Sequence, residues 1–120
     1  MVIFLDVFLN IIKINQVLED YFKCNIYDLF LNCYCLDYYR ILTSIYPDGV
    51  LVLEKNKEHC ACMINEVIYD VSGIRDVNDF VLANENDINF VYSFYNRLSN
   101  EEINDIIEHI NGCVKKKKIV

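Results

Sequence analysis

The order of hydrophobic and polar positions predicts helices in the first part of the chain. Residues 2–12 are apolar at most positions, and their polar neighbours Asp6, Asn10 and Lys13 fall on one helical stripe. Residues 14–22 continue with apolar side chains at helical spacing. We therefore expect helix over both segments, with the apolar side in the core or covered by a partner or a second subunit.

A central helix is predicted from Cys33 to Ile45, after a mixed stretch at residues 24–32 that predicts a loop with a short turn. The helix ends before Pro47-Asp48-Gly49, which is a turn signature. Three aromatic residues accompany this helix. They are expected mainly in the core, with a partner surface as the alternative, and they are Tyr34, Tyr38 and Tyr39.

Two short strands around a tight turn are predicted between Glu58 and Gly73. Asn65-Glu66 is the only polar pair between two apolar runs, which favours a two-residue hairpin loop. With that loop Cys62 faces Tyr69, and His59 lies diagonal to Asp70 on one face of the ribbon. Diagonal neighbours are roughly 7–8 Å apart at Cα, so the ring and the carboxylate are within reach of a hydrogen bond.

The remaining segments are short, and we expect a strand at residues 50–54, a short helix at 76–83, a polar loop at 84–89 and either a strand or a helix at 88–95. The last helix begins with a capping box formed by Ser99 and Glu102. Gly112 stands where a C-cap glycine would end it. Helices followed by strands and a further helix indicate an α+β fold.

Composition favours one domain over residues 1–114 with a basic tail at residues 115–120. The chain has 120 residues, of which 54% are hydrophobic, enough for a core. Its net charge of −7 argues against direct nucleic-acid binding, and the one basic run, Lys115 to Lys118, is expected to be a solvated tail. No apolar run is long enough to suggest a membrane span.

The six cysteines are expected to be reduced, because the N-terminal residues lack a basic signal-peptide region and contain Asp6. We therefore expect a cytoplasmic protein whose thiols pack or do chemistry. Zinc is an alternative, since Cys33-x-Cys35 and Cys60-x-Cys62 could supply four thiolates beside His59. The spacing departs from the usual zinc pattern, so we expect no metal and no cofactor, and a metal-stabilised structural domain stays the third hypothesis.

Cys35, His59 and Asp70 are the candidate catalytic residues. Cys35 lies at the start of the central helix, where the helix dipole favours a thiolate. A histidine oriented by an acid completes a nucleophilic site, and the chain order Cys, His, Asp suits a papain-like one. Structural roles stay open for all three: a buried thiol, a strand-end histidine and a turn-capping aspartate. His109 is expected on an exposed or boundary position of the last helix.

Four stretches carry a resemblance to a family of small bacterial and phage proteins: residues 32–42, Tyr46-Pro47-Asp48-Gly49, His59 and residues 68–73. That family looks papain-like and is similar to NlpC/P60 and transglutaminase-type cysteine hydrolases. The resemblance implies a papain-like α+β fold, in which the Cys-bearing helix packs on a small antiparallel sheet. It also implies Cys35 as nucleophile, His59 as base and Asp70 as the residue that orients the ring.

Three positions depart from the family pattern. A glycine is replaced by Cys33, a small residue by Tyr39, and the usual oxyanion-hole glutamine by Leu29. Asn25, Asn32 or the backbone N–H of Cys35 would then serve the oxyanion.

Two functions follow as expectations. The first is a cysteine hydrolase or transferase acting on an amide or isopeptide bond. The alternative is an inactive papain-like scaffold from a phage or mobile element, which binds and inhibits a host protein such as a defence nuclease. Either way the partner is a protein or peptide, with no nucleic acid bound directly and no membrane, and a dimer is possible.

Overall fold

The computed structural model describes the backbone of residues 2–31, 34–56, 58–94 and 97–119, and the side chains within these ranges from residue 6 to residue 112. Five α-helices lie within the described residues: α1 (Val2–Phe22), α2 (Ile26–Leu31), α3 (Cys35–Ile45), α4 (Glu85–Phe94) and α5 (Asn100–Ile119). Five strands accompany them: β1 (Val50–Glu54), β2 (Cys60–Ile64), β3 (Val67–Asp70), β4 (Gly73–Arg75) and β5 (Phe80–Leu82), with a 3₁₀ helix at Val77–Asp79.

The strands form one antiparallel sheet in the order β4-β3-β2-β1-β5. The two-residue hairpin between β2 and β3 is confirmed, because Cys62 pairs with Tyr69 and Ile64 with Val67. Asn65 and Glu66 both have positive φ, at 51° and 67°, the backbone that a two-residue turn of type I′ requires. The register predicted from the sequence is therefore the register of the structure.

The helices cover one face of this sheet. Cys62, Ile64 and Tyr69 point from the hairpin into the main core, where they meet apolar side chains of α1, α3 and α5. The opposite face carries a smaller apolar cluster of Val52, Ala61, Ile68 and Phe80. The α+β class expected from the order of elements is confirmed, and the packing of the central helix on a small antiparallel sheet is the one that the resemblance implied.

A buried hydrogen-bond network ties three parts of the fold together. The Asn15 side chain of α1 donates to the backbone carbonyl of Val71 at 2.8 Å, and its oxygen accepts from the Tyr38 hydroxyl of α3 at 2.7 Å. Because these groups are buried, losing either bond would leave an unpaired polar atom in the core. The network thereby fixes α3 relative to the turn that follows Asp70.

Several predicted elements are confirmed. The N-terminal helix, the strand at residues 50–54 and the helix ending before Pro47 all occur as expected. The capping box is present, since the Ser99 hydroxyl accepts from the Glu102 N–H and the Glu102 carboxylate accepts from the Ser99 N–H. Tyr38 is buried, while Tyr34 and Tyr39 are half-buried against the core, so the core interpretation of the tyrosines holds.

The loop expected at residues 24–32 is wrong, because residues 26–31 form the short helix α2. The Asn25 side chain caps it by accepting from the backbone N–H groups of Tyr27 and Asp28. Burial of Ile26 and Phe30 against the core then stabilises a single helical turn that propensity alone would not predict.

The expectations for residues 76–89 are also wrong. Only the 3₁₀ turn at Val77–Asp79 is helical in the first part, and β5 follows because it pairs with the edge of β1, Leu82 opposite Val52. The polar loop is instead the first part of α4, capped by the Asn84 side chain, which accepts from the Asp87 N–H. α4 resolves the undecided segment as helix.

Gly112 does not end the last helix, so the C-cap prediction is wrong. α5 runs on to Ile119, and nothing lies within 4 Å of where a Gly112 Cβ would be. An interior glycine costs a helix only about 1 kcal/mol relative to alanine, which a long helix tolerates.

Within the described ranges no helix has both the length and the apolar character needed to cross a membrane.

Candidate active site

Cys35 is the first residue of α3 and is enclosed between that helix and the sheet. The residue is 1% exposed and shares a buried cluster with Leu51 and Leu53 of β1, Cys60 of β2 and Val91 of α4. Cys35 is the first residue of α3, so its backbone N–H lies at the end of the helix where the N–H groups point out of it. This end of the helix favours negative charge on the sulfur.

The thiol of Cys60 contacts Cys35 directly. Cys60 Sγ donates to Cys35 Sγ at 3.2 Å, and both groups are buried. This hydrogen bond, followed by the neighbouring His59 ring, lowers the pKa of Cys35 well below the ordinary thiol value against the opposing effect of burial. The same bond raises the pKa of Cys60 far above it. These directions, together with the position of Cys35 at the start of α3, favour Cys35 over Cys60 as the group that ionises.

His59 immediately precedes β2, and its ring contacts the carboxylate of Asp70. Its Nε2 is 2.8 Å from Asp70 Oδ2, and the residue is 6% exposed. Burial alone lowers the pKa of His59, but the hydrogen bond to Asp70 and the nearby Cys35 thiolate raise it to about 9. Nδ1 has no hydrogen-bond partner among the described residues, so it is the nitrogen left for the thiol.

Asp70 closes β3 and serves two purposes with its two oxygens. Oδ1 accepts from the Ser72 N–H at 2.8 Å and from the Ser72 hydroxyl, while Oδ2 accepts from His59 and from the Arg75 guanidinium. Burial raises the pKa of this carboxyl, but the bonds from His59 and Ser72 outweigh it and the pKa is lowered. The turn-capping and ring-orienting roles considered for Asp70 are therefore both present.

Arg75 is a site residue that the sequence analysis missed. Its guanidinium joins Asp70 to Glu54, 3.3 Å away on β1, and lies over the Phe80 ring at 5.4 Å. The Phe80 ring in turn meets the His59 ring edge-on, with centroids 6.4 Å apart. Arg75 thus holds the carboxylate from the side opposite the imidazole. It was missed because β4, which carries it, was not predicted.

Cys60 was also missed as a neighbour of Cys35. Alternation along β2 places Cys60 on the face opposite His59, and the sequence analysis names it only as a possible zinc ligand. The alternation is right, since Cys60 faces α3 and His59 shares the other face with Phe80. His59 lies just before β2, at the sheet's end, and from there its ring still influences Cys35. The sequence did carry one signal for this contact: Cys60 follows His59 directly and faces the helix that carries Cys35.

Asp37 fixes the segment before α5 against the helix that carries Cys35. Its buried Oδ1 accepts from Arg40 Nη1 at 2.7 Å and from the Leu98 N–H at 3.0 Å. Arg40 also donates to the Leu98 carbonyl at 2.8 Å. Burial raises the pKa of Asp37 despite these two donors. Among the described atoms Oδ2 has no hydrogen-bond partner.

Access to the thiol is closed in this conformation by α4 and an aromatic side chain. Val91 is fully buried in the Cys35 cluster, and Tyr39 and Tyr92 pack against the same cluster. Asp87 and Val91 are the buried residues of α4, whose other side exposes Phe90 and Phe94 as a stacked pair. α4 therefore covers the Cys35 thiol with one fully buried apolar residue, Val91.

The candidate oxyanion donors differ in availability. The Asn25 side chain is used to cap α2, and Asn32 lies outside the described residues. The half-buried Leu29 has no polar side-chain atom to offer. The backbone N–H of Cys35 is therefore the donor that the described part of the site provides.

The zinc hypothesis finds no geometric support in the part of the chain that the structure describes. No group of three or more His, Cys, Asp or Glu side chains is arranged there to hold a metal ion. Cys33, one of the four thiols considered, lies outside the described residues. His109 is exposed on α5, as expected, and its ring packs edge-on against Tyr21 with centroids 5.9 Å apart.

Fold and site together define a small α+β protein with a buried pair of thiols, Cys35 and Cys60, between its third helix and its sheet, and a buried His59–Asp70 pair at the end of that sheet. The chain belongs to the family described as Phage YunG-like protein, whose family model matches residues 11–111. This bears out the phage part of the resemblance, and the family description does not mention a papain-like or NlpC/P60 hydrolase. Neither a curated protein nor a solved structure matches the chain significantly.

Proposed function

We propose that the protein is a papain-like cysteine hydrolase or transferase that acts on an amide or isopeptide bond. The observation that carries the proposal is the buried His59–Asp70 pair, whose ring is bonded to the carboxylate at 2.8 Å and lowers the pKa of the Cys35 thiol. A thiolate beside a protonated histidine is the resting state that a cysteine nucleophile requires. The pKa directions of Cys35 and His59 support that state at neutral pH.

In the proposed reaction the Cys35 thiolate attacks the carbonyl carbon and forms a tetrahedral intermediate. The backbone N–H of Cys35 donates to its oxyanion. His59 gives the Nδ1 proton to the leaving amine, the C–N bond breaks and a thioester remains on Cys35. Water or a second amine then attacks the thioester with His59 as the base, which releases the acid or the new amide and restores the thiolate.

Asp70 has an orienting role in this proposal. Its bond to Nε2 fixes the ring so that Nδ1 faces the sulfur, and the carboxylate stabilises the imidazolium. Ser72 and Arg75 hold the carboxylate in turn. A single rotamer of His59 is thereby selected before substrate arrives, and this preorganisation is what makes proton transfer fast.

Substrate entry requires α4 to move, because the residue Cys35 is 1% exposed. α4 is suited to such movement, because only two of its ten residues, Asp87 and Val91, are buried. Elements with little buried apolar surface open at low free-energy cost. We assign α4 as a lid whose displacement exposes the sulfur.

The alkylation kinetics of Cys35 by iodoacetamide at pH 6 test the enzyme hypothesis. At this pH an ordinary thiol is almost fully protonated, so rapid labelling requires a lowered pKa. We expect mapped labelling of Cys35 to fall several-fold in His59→Ala, because loss of the imidazolium raises the pKa of Cys35 from about 5 to a value above the assay pH. His109→Ala is the matched control and leaves the rate unchanged. Labelling of Cys35 that is unchanged in His59→Ala contradicts the proposal.

A second function is favoured by the closure of the site. Cys35 and His59 are both almost inaccessible, and Tyr39 fills part of the space beside the thiol. An inactive papain-like scaffold that inhibits a host protein would keep this architecture without needing to open. The net charge of −7 would steer it toward a basic partner, such as a host defence nuclease. Capture of such a nuclease that weakens with salt and persists in Cys35→Ala supports this function. Turnover without any captured partner contradicts it.

A further inference from the structure

The described residues contain a pair of thiols in direct contact. Cys35 Sγ and Cys60 Sγ are 3.2 Å apart and joined by a hydrogen bond. A disulfide bond is about 2.05 Å long, so the two sulfurs are only about 1 Å beyond bonding distance. Each residue begins its element, α3 or β2, and these two elements pack against each other. The contact is between distant parts of the chain, set by the fold rather than by local sequence.

The other described thiols are placed differently. Cys24 is exposed, and Cys62 is buried two residues along β2 in a separate apolar cluster with Ile64 and Tyr69. The thiolate-stabilising position at the start of α3 belongs to Cys35. The pair therefore combines a sulfur suited to react with an oxidant and a second sulfur in place to resolve the product.

We propose that hydrogen peroxide converts Cys35 and Cys60 into a reversible disulfide, which makes this pair a site of oxidative modification. The proposal does not rest on hydrolytic activity, since it concerns the two sulfurs alone. If the protein is also a cysteine hydrolase, the same disulfide removes the nucleophile and a dithiol restores it.

The reaction has two balanced steps. In the first, the Cys35 thiolate attacks one peroxide oxygen, the O–O bond breaks, and Cys35 sulfenic acid and hydroxide form; the sulfur loses two electrons to the peroxide. In the second, the Cys60 sulfur attacks the Cys35 sulfur, the S–S bond forms and the S–O bond breaks. The departing hydroxide takes up the Cys60 proton, so the two steps convert two thiols and one peroxide into a disulfide and two waters.

The first step prepares the second. The Cys60 proton is held by the charge on Cys35, and this charge disappears when Cys35 becomes a neutral sulfenic acid. Cys60 can then ionise more readily and attack. Since Cys60 is already in contact with the reacting sulfur, disulfide formation should outrun further oxidation of Cys35 to sulfinic acid, which is irreversible for most proteins.

Peptide mapping under non-reducing conditions, after mild hydrogen peroxide treatment of the full chain, tests the proposal. The expected product is a cross-linked pair of peptides containing Cys35 and Cys60, lighter by two hydrogens than the separate peptides and released by dithiothreitol. In Cys60→Ser the cross-link is absent and Cys35 stops at a sulfenic acid that dimedone traps. Cys62→Ser, on the same face of the same strand, is the matched control and still forms the cross-link.

Three outcomes overturn the proposal. The first is a cross-link from Cys35 to a different cysteine, Cys33 included. The second is oxidation of wild-type Cys35 to sulfinic acid without a cross-link. The third is a Cys35 that stays reduced under conditions that oxidise the exposed Cys24. If Cys60→Ser does not fold, wild type and Cys62→Ser decide alone. Because mass is measured without substrate, failure here is distinct from failure of the hydrolase hypothesis.

Discussion

Replacing Asp70 with asparagine should lower the pKa of His59 by more than one unit. In the wild type, the Asp70 carboxylate and the Cys35 thiolate raise this pKa from the ordinary 6.5 to about 9 against the effect of burial. A rise of roughly 2.5 units corresponds to about 3 kcal/mol of preferential interaction with the protonated ring. The Asp70→Asn substitution would remove the charge that contacts Nε2 while leaving the burial penalty, so the pKa should fall toward the ordinary value or below it.

NMR titration of the imidazole resonances measures this directly. The chain has two histidines, so a His109→Gln variant identifies the signals of His59. We expect wild-type His59 to titrate near pH 9 and the Asp70→Asn protein to titrate more than one unit lower. Asp76→Asn is the matched control, because Asp76 caps the exposed 3₁₀ turn and leaves His59 unchanged. Wild-type titration at 6.5 or below, or an Asp70→Asn pKa equal to that of wild type, refutes the reasoning.

The same shift has a consequence for stability. The folded pKa of His59 is raised above its unfolded value, so the folded state binds this proton more tightly. The stabilisation is complete below about pH 6.5 and is lost as the pH rises through about 9. The lowered pKa of the Cys35 thiol contributes the opposite pH dependence over the same range, so the comparison is made in proteins that lack this thiol. Urea unfolding between pH 6 and 10 should show a decline in Cys35→Ala that is shallower in the Cys35→Ala, Asp70→Asn double variant. Equal slopes in the two proteins would contradict the linkage.

Three further predictions concern packing around the site. Asp37→Asn should lower the free energy of unfolding by about 1–3 kcal/mol and speed hydrogen exchange at the Leu98 amide, because it weakens a buried acceptor. Asp105→Asn, at an exposed position, is the control. Unchanged exchange at Leu98 in Asp37→Asn argues against the role given to Asp37. Gly49→Ala should lower the free energy of unfolding in urea by about 1–3 kcal/mol, since its Cβ would lie 2.6 Å from Cys62 Sγ. Gly112→Ala has open space at its Cβ and should raise that free energy by about 0.5–1 kcal/mol. A stabilising Gly49→Ala together with a destabilising Gly112→Ala would contradict the packing at both positions. Val91→Ala should speed alkylation of Cys35, because it removes buried side-chain atoms that hold α4 over the thiol. Ile88→Ala, at an exposed position of α4, is the control and should leave the rate unchanged. Equal rates in the two variants would contradict the proposal that α4 covers Cys35.

The hairpin and its register were predictable because their signals are local. The polar pair Asn65-Glu66 between two apolar runs fixes the loop length, and the loop length fixes which residues face each other. The contact between His59 and Asp70 follows from that register alone. The long helices were predictable for the same reason, since their apolar spacing repeats over several turns.

The short elements were not predictable because tertiary contacts decide them. β5 and β4 have three residues each and exist through pairing with β1 and β3. α2 depends on the burial of Ile26 and Phe30. The site contact of Arg75 depends on β4, which was not predicted. The contact of Cys60 with Cys35 depends on how α3 lies over β2, which no spacing in the chain indicates. Residues that meet across elements carry no spacing signal in a single sequence.

The central claim is that Cys35 is a nucleophile activated by His59, and acylation by p-nitrophenyl acetate tests it most directly. We expect a stoichiometric burst of nitrophenolate and an acetyl group mapped by mass spectrometry to Cys35. The burst should be absent in Cys35→Ala and much slower in His59→Ala. An acetyl group found on other residues, or on Cys35 at the same rate in His59→Ala, would show that the cluster is a structural packing arrangement instead.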